Sequence, residues 1–471
     1  MTTAPDPPPV TRREWAGVAM VGAVAFALMM WVSLTQWIAG LWFMNDVGNV
    51  YNMWYATLRG NLLWSPYTET SLLAYHFTPL LVVLSPLSLL SDYPIPLVAS
   101  YVFALAACVV PIHALARRRF GLPPVLAFAA GILFLSNHFV ASIHLSNHFE
   151  SYFILAFLTT MALAREPHPR AFWTAAVVTL MVKEDAALWL GLWAAFEAWS
   201  TPAGPLRKRH AVLTSVCVAY ALLAVGVIAL FARIEGAGAQ EYFGRIGDFG
   251  PSRAAAGALG ALFLSFCLLP LFAGRWLALM LLPAPLMLGD FEFSRALLYY
   301  YSYPFVPAAT LAMLAGMDAV TRRFDAAHRS ATARGLVAVV LLCAAVQLAV
   351  PTRTDSMRRV PFPVLADHFQ RIEMLRTTPP PTEPVVVQFG LWSLLPVRDG
   401  MRNLSGKNLD HPGHVVFDTR LFFGLSGDET RGIIARLNAD TASGRRTLDN
   451  PASALFVFSP MTTDPETTHA R

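Results

Sequence analysis

Charge is scarce in this chain. Of its 471 residues only 14% are Asp, Glu, Lys or Arg, against 55% that are hydrophobic, and that balance makes it a polytopic membrane protein. Cysteine is scarcer. Cys108, Cys217, Cys267 and Cys343 all fall in apolar runs, without zinc-ligand spacing or clustering in sequence, and read as packing residues. After Val350 no apolar run of spanning length recurs, and that tail also lacks a P-loop, a dinucleotide-binding glycine pattern and a convincing nucleophilic triad, so it receives no catalysis of its own. The net charge of +5 comes from short basic loops. It reports topology and contact with anionic lipid, and nucleic acid is not indicated.

Basic residues collect in cytoplasmic loops, and here they form five clusters: Arg12-Arg13, Arg117-Arg118-Arg119, Arg165 with Arg170, Arg207-Lys208-Arg209, and Arg322-Arg323 with Arg329 and Arg334. If all face the cytoplasm, with Arg275 marking one further inward turn, the apolar runs divide into about eleven spans. These are expected near 15–37, 96–116, 122–140, 150–164, 170–183, 186–200, 210–232, 254–273, 275–289, 303–320 and 334–350. The N-terminus is then inside, and the first span, which has no clear small-residue cleavage site, is expected to be a retained anchor.

What is present where charge should be absent is Lys183-Glu184-Asp185, set in the run AFWTAAVVTLMVKEDAALWLGLWAAFEAW. Each charge at a bilayer centre costs about 2.5–3.5 kcal/mol, so three together must face water, one another or a ligand. The span count puts the triplet at the outer turn of a hairpin. Each arm has about 13 to 15 residues, roughly 20 Å of helix against a hydrocarbon core of about 30 Å, so the tip is expected below the outer surface. A polar hairpin tip outside the membrane is the plainer reading.

Two more unusual clusters fall at the same expected level. The outer segment 38–94 carries WFMNDVGNVYNMWYATLRG and SPYTETSLLAYHFTPLLVVLSPLSLL; its stretch 77–90, short and broken by two prolines, suits an interfacial or re-entrant element. The next outer turn, SNHFVASIHLSNHFE, holds His138, His144, His148 and Glu150. His144 and His148 stand four apart, one face of a helix, a weak metal pattern in the absence of an HExxH glutamate. The aromatic stretch GDFEFSRALLYYYSYP offers Arg295 to a phosphate, while Tyr299, Tyr300, Tyr301 and Tyr303 read as interfacial belt residues. The loop 233–253 stays outside the expected site.

The ordered series DVGNVYNMWYATLRG, HFTPLLVVLSPL, RRRF, NHFE and MVKEDAALWL resembles a family of uncharacterised bacterial multipass membrane proteins related to the GT-C glycosyltransferases, over roughly residues 40–320. Asp46 and Gly48 match the family's first loop, where Tyr51-Asn52 stands in place of a following Asp-Gln pair, so the second acid is missing. His76, Phe77 and Pro79 match its HF-x-P element, and Lys183-Glu184-Asp185 is kept whole. Asn147-His148-Phe149-Glu150 replaces the usual Phe-His-Pro-Glu.

The resemblance implies transfer of a sugar from a polyprenyl-phosphate donor to a glycan, lipid or protein acceptor at the outer face of the cytoplasmic membrane. It implies Asp46 as the catalytic carboxylate; the alternative for Asp46 is a helix cap. Lys183 is the expected donor-phosphate ligand, supported by Glu184 and Asp185. His76, His148, Glu150, Tyr51 and Asn52 complete the expected substrate site, and His148, Glu150 and Asp46 are the candidates for a divalent metal ion.

The expected fold is therefore mainly α, a GT-C-like membrane domain over 1–350 that includes loop 38–94. A small extracytoplasmic α/β domain follows over 351–471, with strands at PVVVQFG, HVVFDTR and ALFVFSP. Two other classes fit the same charges: a transporter or lipid flippase, although no internal duplication is evident, and a non-enzymatic envelope assembly protein.

Overall fold

The computed structural model describes residues 9–42, 46–166, 169–236, 253–288, 292–323, 329–349, 363–377, 379–380, 382–405, 407–418, 427–452 and 455–460. Most of the loop 233–253 therefore lies outside the described residues. The chain divides into two compact units: Met1–Val32, Leu72–Val83 and Val98–Val360 form the first, and Ser33–Ser71, Leu84–Leu97 and Pro361–Arg471 the second.

The first eleven helices are α1 (Arg12–Ile38), α2 (Val47–Leu58), α3 (Pro79–Leu84), α4 (Ile95–Ala107), α5 (Val109–Ala114), α6 (Pro124–Ser136), α7 (His138–Ser146), α8 (Glu150–Leu163), α9 (Pro169–Val182), α10 (Ala186–Ser200) and α11 (Pro205–Glu235). Among the described residues four helical segments are long and apolar enough to cross a bilayer: Arg12–Ile38, Ile95–Arg119, Pro205–Glu235 and Ser330–Ala349. The bent pair α6 and α7 makes a fifth if it is one span. Glu150–Leu163, Pro169–Val182 and Arg253–Ser265 are shorter apolar helices. The chain is thus a mainly helical membrane protein.

The breaks have local causes. Asn137 separates α6 from α7 by a 49° bend; its side chain caps α7 by accepting from Phe139 N at 2.9 Å and donates to Ser265 Oγ at 3.0 Å. Asn147, left-handed at φ 48°, ends α7. The expected single helical face carrying His144 and His148 is therefore interrupted: His144 closes α7 with its ring 3.1 Å from Met29 O, while His148 lies in the turn before α8.

In the second unit five strands form one sheet. Strands β1 (Trp64–Ser65) and β2 (Thr70–Ser71) make a separate small hairpin; β3 (Val385–Val387), β4 (Met401–Asn403), β5 (His414–Asp418), β6 (Arg446–Ala452) and β7 (Leu455–Pro460) are ordered β4-β3-β5-β7-β6. β4, β3 and β5 run parallel, β7 pairs antiparallel with β5, and β6 pairs antiparallel with β7. The apolar runs VVV and HVVF are continuous rather than alternating because both faces are covered. Val385, Val387 and Val416 pack with Leu375 of the helix Ala366–Thr377, and Val386, Val415 and Phe417 with Ile433 and Leu437 of the helix Gly427–Ala442.

Residues 33–71 and 84–97 fall in one compact unit with this sheet domain. Trp37 donates through Nε1 to Ser393 O at 2.8 Å. A Cβ on Gly48 would lie 2.6 Å from Trp392 Cβ and 2.8 Å from its carbonyl carbon. Only glycine lets α2 approach the chain so closely at Trp392, which is the physical reason for the glycine in DVGN.

Candidate functional site

Charges inside a bundle need partners, and each residue of the triplet finds a different one. The turn Lys183-Glu184-Asp185 joins α9 to α10, both short and apolar. Lys183 Nζ donates to Glu150 Oε1 at 3.2 Å. Glu150, the first residue of α8 and fully buried, also holds His148 Nδ1 through its other oxygen. Glu184 receives His76 Nδ1 at 2.9 Å on Oε1 and the Phe77 backbone N–H at 3.0 Å on Oε2. Asp185 accepts from the Tyr303 hydroxyl, and the Tyr303 ring centroid lies 5.7 Å from Lys183 Nζ.

Three sequence elements more than 30 residues apart are thus tied to one turn: the HF-x-P segment by Glu184, the start of α8 by Lys183, and the aromatic segment before the helix Phe305–Arg322 by Asp185. Lys183, His76 and Glu184 keep 12%, 19% and 19% of their side chains exposed, whereas Glu150 keeps none. Glu150 therefore anchors the cluster in the interior, while Lys183, His76 and Glu184 stay partly exposed.

Tyr300 and Tyr303 belong to this cluster, which the belt reading of the tyrosines did not anticipate. The Tyr300 ring stacks on His148 at 3.9 Å with an interplanar angle of 11°, and Tyr301 stacks on Tyr300 at 4.5 Å. The only sequence signal was their nearness to a proline ahead of an apolar run.

Asp46, Tyr51 and Asn52 belong to the second unit. Asp46 stands at the N-cap position of α2, the place the helix-cap alternative gives it, without a side-chain hydrogen bond to the first turn of that helix. Tyr51 is buried and donates to Ser91 O at 2.5 Å, and Asn52 is buried with Nδ2 bonded to Gly48 O at 2.8 Å. Both side chains are held by their own unit's backbone, which leaves their expected contact with substrate without support in the observed geometry. In the same unit Ser459 Oγ lies 3.0 Å from His414 Nδ1, and Glu383 Oε2 lies 2.5 Å from His414 Nε2. Ser459 sits within the regular ladder opposite Thr447, so this row reads as cross-strand pairing.

Among the described residues no group of three or more His, Cys, Asp or Glu side chains is arranged to hold a metal ion. In the cluster the cation on Glu150 is Lys183 itself.

No curated protein matches the chain. A family model described as "Predicted membrane protein (DUF2079)" matches residues 45–378, a stretch that contains α2, the HF-x-P segment, the charged turn and Tyr303, and the chain belongs to that family.

Proposed function

We propose that this protein is a GT-C-type glycosyltransferase of the bacterial cytoplasmic membrane. In this reading about eleven segments cross or enter the bilayer, the N-terminus is cytoplasmic and the C-terminal sheet domain is extracytoplasmic. The donor is a sugar on a polyprenyl phosphate, and the acceptor is a hydroxyl of a glycan, lipid or protein in the cell envelope. The observation that carries it is Lys183: a buried carboxylate holds its ammonium 3.2 Å away while part of the side chain stays accessible.

In the reaction the acceptor oxygen forms a bond to the anomeric carbon as the bond from that carbon to the phosphate oxygen breaks. The acceptor proton passes to the carboxylate base, assigned to Asp46 on the family resemblance, and the polyprenyl phosphate leaves with the electron pair. Lys183 stabilises the charge developing on that phosphate, and Glu184 holds His76 beside it. A phosphate leaving group needs no acid to protonate it, so one base suffices. Should a divalent metal ion take part, Glu150 and His148 would hold it and it would supply positive charge to the departing phosphate, which chelation tests.

The carboxylate–imidazole pairs Glu150–His148 and Glu184–His76 favour one second reading, a proton-coupled transporter, because such pairs serve as proton relays within membranes.

The deciding experiment uses the full chain in lipid nanodiscs with a polyprenyl-phosphate sugar. Lys183→Met lowers donor turnover by about 10²–10³-fold, the loss typical for removal of one donor to a developing oxyanion, and Asp46→Asn abolishes it. Equal turnover in both variants and the parent refutes the assignment. An intact donor together with substrate movement across proteoliposomes selects the transporter.

A further inference from the structure

The helices that carry the charged turn at one end carry a second set of charges at the other. Glu14 of α1 holds Arg117 Nε at 2.9 Å and His113 Nε2 at 3.3 Å, Arg119 is paired with Glu197 near the end of α10, and Arg209 donates to Ala164 O at 2.9 Å. Beside this basic end lies a groove of about 440 Å³ lined by Pro123, Val125, Leu126, Ala333 and Val337, with Ser330 and Arg334 as its polar residues. It runs along the packed faces of α6 and the helix Arg329–Ala349, both apolar segments of membrane type.

Arg117 Nη1 donates to Leu122 O at 2.7 Å, which fixes the turn before Pro123 and so one wall of the groove. Arg334 is exposed; its Nε reaches Ser330 O at 3.4 Å, and among the described residues no carboxylate pairs with it. An apolar trough on membrane helices, with a guanidinium at its mouth, matches a molecule with an acyl chain and an anionic head.

We propose that this groove binds one anionic phospholipid, its acyl chain along Leu126, Ala333 and Val337 and its phosphate on Arg334. The site is separate from the charged turn and independent of what chemistry occurs there. A guanidinium presents parallel N–H donors to phosphate oxygens, while the trough excludes a soluble anion's water without repaying it. The occupant is therefore a lipid rather than free phosphate.

The test is native mass spectrometry of the full chain released from mixed micelles holding equal phosphatidylglycerol and phosphatidylcholine. The parent retains phosphatidylglycerol over phosphatidylcholine by about five-fold, what one basic residue near an anionic surface supplies. Arg334→Gln brings the ratio to about one; Ala333→Leu, which fills the trough with a good helix former, lowers retention of both lipids. Lys208→Gln, a basic change at the same end outside the groove, leaves the ratio as in the parent. Equal retention in the parent, an unchanged ratio in Arg334→Gln, or unchanged retention in Ala333→Leu overturns the proposal. So does displacement of the bound lipid by millimolar inorganic phosphate, which would mark a plain anion site.

Discussion

Removing Glu150 tests whether the charged turn is one coupled network. Its carboxylate is fully buried and meets Lys183 Nζ at 3.2 Å; at an effective dielectric of about 20, unit charges at that separation attract by about 5 kcal/mol. Desolvation offsets much of that, but deleting one partner of a buried pair leaves the other uncompensated and typically costs about 3–5 kcal/mol. Glu150→Gln keeps the shape and one acceptor, so it is expected at the lower end, about 3 kcal/mol, and Lys183→Met at a similar value. The double variant removes both charges and should cost far less than the sum, since an uncharged replacement of a buried pair is often near neutral. Thermal unfolding in nanodiscs reads this as midpoints about 5 °C lower in each single variant, scaled from roughly 2 °C per kcal/mol in large domains. Additive losses in the double variant would show that the two side chains do not interact, and the site as described would not exist.

Two further outcomes follow from the same structure. Tyr303→Phe removes the donor to Asp185 and should destabilise the protein by about 1–3 kcal/mol, the cost of an unmet buried acceptor, with a wild-type midpoint as the refuting result. Gly48→Ala places a methyl 2.6 Å from Trp392 Cβ; an overpacking loss of about 1–3 kcal/mol should appear as faster proteolysis of the C-terminal sheet domain, and unchanged cleavage would contradict the packing.

The hairpin around the triplet was legible almost to the residue, expected at 170–183 and 186–200 and found at Pro169–Val182 and Ala186–Ser200, because a charge run in an apolar stretch leaves the chain few places to turn. β3, β5 and β7 were legible as apolar runs. β4 and β6, MRN and RTLDNPA, were not, since edge strands of a sheet need no apolar signature. Periodicity also cannot say which distant segment answers a given charge. The i, i+4 pairing of His144 and His148 looked helical until one left-handed residue, Asn147, ended α7 between them. Tyr303 resembled any interfacial aromatic because its identity as a partner lies in Asp185, 118 positions away. Nor could pattern alone give 33–71 to the sheet domain, for the fit of Gly48 on Trp392 is a property of surfaces and not of spacing.

Charge balance in the cluster constrains the proposed chemistry further. One ammonium, Lys183, stands with three carboxylates, Glu150, Glu184 and Asp185, and two imidazoles, His76 and His148. With all carboxylates ionised the sum is −2 if both imidazoles are neutral and zero if both are protonated. The donor, a phosphodiester, enters at −1 and meets net repulsion that Lys183 alone does not overcome in a low dielectric. Donor binding at this turn therefore requires added positive charge, and the groups already present can acquire it only as protons. Calorimetric titration of a non-transferable polyprenyl-phosphate analogue, repeated in buffers of differing ionisation enthalpy, should show uptake of about one to two protons per donor bound, the number set by that count. Uptake that vanishes in the presence of magnesium would mean that a divalent ion supplies the charge instead. Tight binding with neither protons nor metal would place the phosphate away from Lys183 and remove the observation on which the transferase reading rests.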